Sequence, residues 1–164
     1  MATTSDIDNQ DFLDGKYEFY STGSTAKVIN EGNITVKDGG LAALVAHGVE
    51  NRGTITANMG KVELVGAETF MVDLHGDGLI QIAATQDQVD AYVKNSGMIQ
   101  ADGGKVHISV DTATNMLDNV INMDGVIKAN SIGTKNGKIV IHGGEEGIVH
   151  VAGDIEAKGA EAGE

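Results

Sequence analysis

Four times the chain writes an asparagine, a nearby glycine, an isolated isoleucine, a second glycine and then two apolar residues that alternate. The units are NEGNITVKDGGLAAL (residues 30–44), NRGTITANMGKVEL (51–64), NSGMIQADGGKVHI (95–108) and NMDGVIKANSIGTKNGKIVI (122–141), the last with insertions. A partial fifth, VAGDIEAKGAEAGE, occupies residues 151–164. The isolated isoleucines are Ile34, Ile55, Ile99, Ile127 and Ile155, with separations of 21, 44, 28 and 28. Taking 44 as two units of 22, this spacing belongs to stacked-repeat architectures.

The pieces within a unit are short and β-like: V-x-N, then I-x-[AV], then [LVI]-x-[LI]. Alternation puts Ile34 with Val36, and Val62 with Leu64, on one side of a strand. Such pieces are too short and too often broken by glycine for helices, and the leucines of a leucine-rich repeat are missing. The fold expected is all-β, a β-solenoid with roughly 20 residues per turn and turns about 4.8 Å apart. Asn and Gly at the corners tolerate positive φ. Asn30, Asn51, Asn95 and Asn122 are expected to stack as a turn ladder, hydrogen-bonding along the axis. The expected interior lining is Val28, Ile34, Val36, Leu41, Leu44, Val49, Ile55, Val62, Leu64, Val93, Ile99, Val106, Ile108, Ile127, Ile139, Ile141, Val149, Val151 and Ile155.

Three kinds of segment interrupt the coils. Residues 12–20, FLDGKYEFY, read as a strand or hairpin on the side or end of the solenoid, within a lateral or capping segment 1–27. Residues 65–82 read as two strands joined at Gly76-Asp77-Gly78, a further turn or a lateral hairpin. Residues 86–94 and 112–121 carry apolar residues at helical spacing, which suggests one or two short helical insertions. The whole, 1–164, reads as a single domain with coils from residue 28 onward.

Composition narrows the function. The 164 residues hold 24 acidic and 11 basic side chains, a net charge of −13, and no cysteine or proline. That field repels nucleic acid and anionic lipid. No disulfide or thiolate metal site is possible. The one arginine, Arg52, is a poor basis for a phosphate clamp. No apolar run approaches the length of a membrane span, and MATTSDIDNQDF lacks the basic and apolar regions of a signal peptide.

Catalysis finds little to build on. Asp73, His75 and Asp77 in DLHGDG are the candidate metal or carboxylate cluster; the competing reading is an exposed glycine turn. Asp87 and Asp90 fit a helix start, and Glu145 and Glu146 a solvated corner. His47, His75, His107, His142 and His150 form no H-x-x-x-H or H-x-H pair. His107 and His142 are expected to point outward on one lateral face. No nucleophile elbow or phosphate loop is present. No cofactor is expected.

The order of ATTSDIDNQDFLDGKYEF, VINEGNITVKDGGLAALVAHGVENRGTITANMGKVEL, VDLHGDGLIQI, NSGMIQADGGKVHI and GIVHVAGDIEAKGAEAGE resembles the later part of the two-partner secretion (TPS) domain of filamentous-haemagglutinin-type exoproteins, the haemagglutination activity domain. The resemblance spans nearly the whole chain. It implies a right-handed parallel β-helix, and export through an outer-membrane TPS transporter to the surface of a Gram-negative bacterium. The role it implies is structural or adhesive, toward a host surface or glycan receptor. The NxxT- and NPNG-type recognition motifs of the family's earlier part are not in this sequence, so no transporter-contacting residue carries over. The chain reads as a fragment of a longer exoprotein or a stand-alone derivative. A self-assembling scaffold, with end-to-end pairing of open strands, and a carbohydrate-binding or carbohydrate-active β-helix are the alternatives.

Overall fold

The structure is a computed structural model and describes residues 1–23, 25–67, 69–72, 80–82, 90–110, 119–144 and 147–159. A short strand β1 (Ala2–Thr3), a helix α1 (Asn9–Leu13) and a strand β2 (Glu18–Phe19) precede the coils. The first coil is β3 (Lys27–Asn30), β4 (Asn33–Thr35) and β5 (Leu41–Ala46); the second is β6 (Gly48–Asn51), β7 (Thr54–Thr56) and β8 (Lys61–Gly66). After β9 (Phe70–Val72) and β10 (Ile80–Ile82), the third coil is β11 (Tyr92–Asn95), β12 (Met98–Gln100) and β13 (Lys105–Val110). The fourth is β14 (Asn119–Met123), β15 (Val126–Lys128) and β16 (Lys138–His142), followed by β17 (Ile148–Val151) and β18 (Asp154–Glu156).

Each coil gives one strand to each of three parallel sheets, so the chain is a three-faced parallel β-helix. The orders are β3-β6-β11-β14-β17, β4-β7-β12-β15-β18 and β1-β5-β8-β13-β16. Registers superpose the repeat: Ile34, Ile55, Ile99, Ile127 and Ile155 lie in one column. Ile55, Ile99 and Ile127 are fully buried. At about 25 cal/mol per Å² of apolar surface, each is worth roughly 2–3 kcal/mol. Ala57, Ala101 and Ala129 follow at the next corner, all fully buried. They are the alanines of the I-x-[AV] piece, level in the repeat with Val36, though the expected interior lining named only Val36 at that position.

The corners show why glycine recurs. A Cβ built on Gly53 would fall on the Gly32 carbonyl oxygen; Gly97 would meet Gly53, Gly125 would meet Gly97, and Gly153 would meet Gly125 in the same way. None of these four has a positive φ. They are required by backbone stacked directly on backbone rather than by a left-handed turn.

A second, lateral core lies outside the tube. Strands β9 and β10 pair antiparallel with each other, and β9 with β2. This small sheet covers the outward face of β5 and β8: Phe19 and Phe70 stack at 4.7 Å, over Ala43, Val45, Val65 and Ala67. The lateral hairpin therefore buries residues that alternation alone assigns to solvent.

Several expectations are corrected. Residues 9–13 form a helix rather than extended chain, because Asp8 caps it by accepting from the backbone N–H groups of Gln10 and Asp11. Leu41 packs outward against the lateral core, because Ala42, Leu44 and Ala46 take the inward side of β5. Val149, Val151 and Ile155 occupy interior columns but are 37%, 46% and 43% exposed, because among the described residues no coil stacks beyond them. Tyr92 and Val93, and Val120 and Ile121, lie in strands rather than helices, since parallel pairing to neighbouring coils outweighs a weak local period. Asp90 has φ 68°, which excludes it from a helix start. Residues 86–89, Asp87 among them, residues 112–118, and Glu145 and Glu146 lie outside the described residues.

Candidate functional site

Asn30 Nδ2 donates to Asn51 Oδ1 at 2.8 Å, and Asn51 Nδ2 to Asn95 Oδ1 at 2.8 Å. The amides are buried and run along the axis. Asn122 is not in this column. It pairs in register with Lys94 and His150, and Met123 takes the place below Asn95. The stacked glycines set the register: Asn30, Asn51 and Asn95 each stand two residues before Gly32, Gly53 and Gly97, and two before Gly125 stands Met123. Asn95 Nδ2 is accordingly buried with no hydrogen-bond partner. A second column at the next corner escaped the sequence reading. Asp102 Oδ1 accepts from the backbone N–H of Asn130 at 2.9 Å, and Asn130 Oδ1 from that of Lys158 at 2.8 Å.

Asp73, His75 and Asp77 lie outside the described residues. Among the described residues, no group of three or more His, Cys, Asp or Glu could hold a metal ion. Ser96 sits at the tight corner between β11 and β12, its backbone N–H bonded to the Asn51 carbonyl.

The polar chemistry lies on the outward faces. Glu50, on β6, is 7% exposed. Arg52 reaches one of its oxygens, Oε2, with Nε at 3.0 Å and Nη2 at 2.6 Å, and extends Nη1 to Glu31 at 2.8 Å. The other oxygen, Oε1, accepts from Tyr92 Oη at 2.7 Å and Lys27 Nζ at 3.4 Å. Gly48 makes room for this arrangement, since a Cβ there would stand 2.8 Å from the Tyr92 ring. Lys27 Nζ also lies 5.4 Å from that ring's centroid. The Tyr92 hydroxyl, with Arg52 and Lys27, outweighs burial and lowers the Glu50 carboxyl from 4.5 to about 2.

A carboxyl with depressed proton affinity stabilises the folded state above its ordinary pKa, and that contribution drains away as pH falls through the folded value. Each tenfold change is worth about 1.4 kcal/mol, so Glu50 contributes roughly 3 kcal/mol at neutral pH. The loss falls between pH 4.5 and about 2. Urea unfolding of the wild type and Glu50→Gln across pH 2 to 7 checks this. The stability gap should be widest near neutrality and close through that window; a gap independent of pH would refute it.

On the outward side of β8, Glu63 is fully buried, with Oε2 2.8 Å from Nδ1 of His107 directly across on β13. The contact shares one hydrogen, carried either by Nδ1 or by the carboxyl, because two acceptors alone cannot bond. Glu63 Oε1 and Ser109 Oγ are buried without partners. His142 lies level with Ser109 rather than His107, so the two outward histidines are diagonal neighbours, not a stacked pair. A carboxylate–imidazole pair is half of a general-base arrangement, but among the described residues no nucleophile or third ligand is shown in contact with it.

The class of molecule is thus a parallel β-helix whose polar groups serve its own stacking, with one small antiparallel sheet on its flank. Residues 1–157 match the TPS secretion domain, and the chain belongs to that family. It is similar to the HMW1 secretion domain from Haemophilus influenzae, with a TM-score of 0.78 and 26% identity, covering 98% of this chain and 41% of that one. Over 81 residues it is 33% identical to a heme/hemopexin-binding protein of Haemophilus influenzae, covering 49% of this chain and 8% of that protein. The chain spans less than half of either. It is a domain of a two-partner-secretion exoprotein, in a family defined by secretion rather than by a reaction.

Proposed function

We propose that the chain is the later, coil-forming part of a filamentous-haemagglutinin-type TPS domain, a single β-helix within a longer exoprotein. It passes an outer-membrane TPS transporter unfolded and stacks on the far side into a rigid shaft at the surface of a Gram-negative cell. The shaft carries an adhesive region toward a host surface or glycan receptor. The observation that carries this is the family match over residues 1–157, together with interior columns that are fully buried in the inner coils and partly exposed in the last one. The metal or carbohydrate-active reading rests on Asp73, His75 and Asp77, which lie outside the described residues.

The test is export. The chain is joined behind the earlier, motif-bearing part of a TPS domain and a periplasmic-targeting leader, and expressed with and without the matching TPS transporter. Appearance in the medium or at the cell surface only with the transporter is the expected result. Retention in the periplasm in both cases would overturn the reading.

A further inference from the structure

The insertion that lengthens the fourth unit lies between β15 and β16, over residues 129–137. Its middle turns back toward the third coil: a Cβ built on Gly103 would stand 3.2 Å from Ile132. Ile132 and Lys135 exchange backbone hydrogen bonds at 2.9 and 3.1 Å around Gly133, whose φ is 60°. Asn136 follows, exposed, and Gly137 leads into β16. Of all the asparagines in the chain, Asn136 alone precedes a glycine. The stack forces that neighbour. Gly137 lies against the backbone of Ala129, so a Cβ there would strike the Ala129 carbonyl.

We propose that Asn136 is a self-modification site, where the folded chain converts its own amide to a mixture of aspartate and isoaspartate. The Gly137 nitrogen gives its proton to hydroxide, and its electron pair attacks Cγ of Asn136. The carbonyl opens to an oxyanion at Oδ1. It re-forms as the Cγ–Nδ2 bond breaks, and the nitrogen leaves as ammonia with a proton from water, which restores the hydroxide. A five-membered succinimide remains. Water then adds to either of its carbonyls and breaks that carbon's bond to the Gly137 nitrogen. Opening at Cγ gives aspartate. Opening at the backbone carbonyl gives isoaspartate, with the main chain routed through the former side chain. The sum is amide and water to acid and ammonia.

The structure sets this asparagine apart from the others. Attacker and target belong to adjacent residues, so the closure needs no encounter, and Gly137 has no Cβ to obstruct it. The Gly137 N–H donates to none of the described residues. Ser131 Oγ donates to Asn136 Oδ1 at 3.3 Å, the atom that becomes the oxyanion. Elsewhere the corresponding nitrogen is tied down. After Asn51, the Arg52 N–H bonds the Asn30 carbonyl at 2.8 Å; after Asn58, the Met59 N–H bonds that of Asp102 at 2.8 Å. After Asn95, the Ser96 N–H bonds that of Asn51 at 2.9 Å; after Asn130, the Ser131 N–H bonds that of Lys158 at 2.7 Å. Each must leave the stack before it can attack. The product places a carboxylate between Lys135 and Lys138 in the chain. In isoaspartate it also adds one main-chain carbon ahead of β16. The exposed loop absorbs that carbon, because the Lys138 N–H is held on the Gly104 carbonyl at 2.9 Å. The loop thus changes charge and backbone with the age of the folded chain, without an enzyme.

Peptide mapping by mass spectrometry tests this on the 164-residue chain, kept folded at mildly alkaline pH in heavy-oxygen water. The peptide holding Asn136 should convert first, take up one heavy oxygen, and separate into two products of equal mass. Peptides holding Asn51, Asn58 and Asn95 should stay unchanged until urea unfolds the chain, when Asn95, followed by serine, should begin to convert. Asn136→Gln should lose the conversion, because its ring would be one atom larger and closes far more slowly. A folded chain whose Asn136 stays intact while the unfolded chain converts there would overturn the proposal. So would conversion at Asn51 or Asn95 in the folded chain as fast as at Asn136. Neither result depends on whether the chain is exported.

Discussion

Gly97→Ala is expected to cost about 3 kcal/mol or more, the upper end of ordinary overpacking, out of a total stability of about 5–15 kcal/mol for a domain of this size. The new methyl has nowhere to go. It meets the carbonyl oxygen and nitrogen of Gly53 and the carbonyl carbon of Arg52, all of them backbone. A clash with a flexible side chain could relax, but one with backbone forces the second and third coils apart. That separation strains the hydrogen bonds that bracket the corner, Gly97 N–H to Asn51 at 3.0 Å and Met98 N–H to Gly53 at 2.9 Å. Gly32→Ala is the internal control. Gly32 has the same place in the repeat, yet nothing lies within 4 Å of a Cβ built there, because it begins the column. Urea unfolding should show a large loss for Gly97→Ala and a change within about 0.5 kcal/mol for Gly32→Ala. Equal effects would show that the cost lies in glycine's local conformation and not in stacking.

Asn51→Leu is expected to cost about 2–5 kcal/mol. It keeps the number and branching of the side-chain heavy atoms but removes the middle of the amide ladder. Asn30 Nδ2 loses its 2.8 Å acceptor and Asn95 Oδ1 its 2.8 Å donor, and the Met98 carbonyl loses a donor at 3.3 Å. Each buried polar group left without a partner costs about 1–3 kcal/mol. Met123→Asn is the complementary change, because it places an acceptor beneath the unpartnered Asn95 Nδ2. Its own amide then faces the end of the stack, where Val151 is 46% exposed and water can reach it. The gain at Asn95 offsets the lost burial of methionine, so a net change within about 1 kcal/mol is expected. A loss above about 3 kcal/mol, the ordinary result of placing an amide in an apolar core, would show that the ladder does not extend.

The two substitutions probe the same cause from opposite sides. Glycine is needed where backbones touch, and asparagine where a corner side chain must bond both upward and downward. The repeat made both requirements visible, since Asn-x-Gly recurs at Asn30, Asn51 and Asn95. It also misled at Asn122, where the eye follows the asparagine while the structure follows the glycine. Superposing coils demands that Cβ-free positions coincide, so Gly125 decides the register and Met123 inherits the ladder position.

The outward chemistry was less legible. Glu50 and Tyr92 are 42 residues apart, Glu63 and His107 are 44 apart, and neither pair forms a local motif. They meet because the excursion after β8 returns the chain to the stack in register, one coil further on. The lateral core was hidden for a related reason. Alternation assigns Ala43, Val45 and Val65 to the outside of the tube, and only the docked sheet of β2, β9 and β10 makes that outside dry.

Periodicity thus determined, from the residues alone, that the chain stacks short parallel strands with isoleucine inside and glycine at the corners. Such a pattern is local and repeats in every coil. Where the coils begin and end, which asparagine joins the ladder, and which outward faces are buried were decided only by the tertiary structure. Those outcomes depend on contacts between distant coils, whose register is set by backbone packing that no single repeat contains.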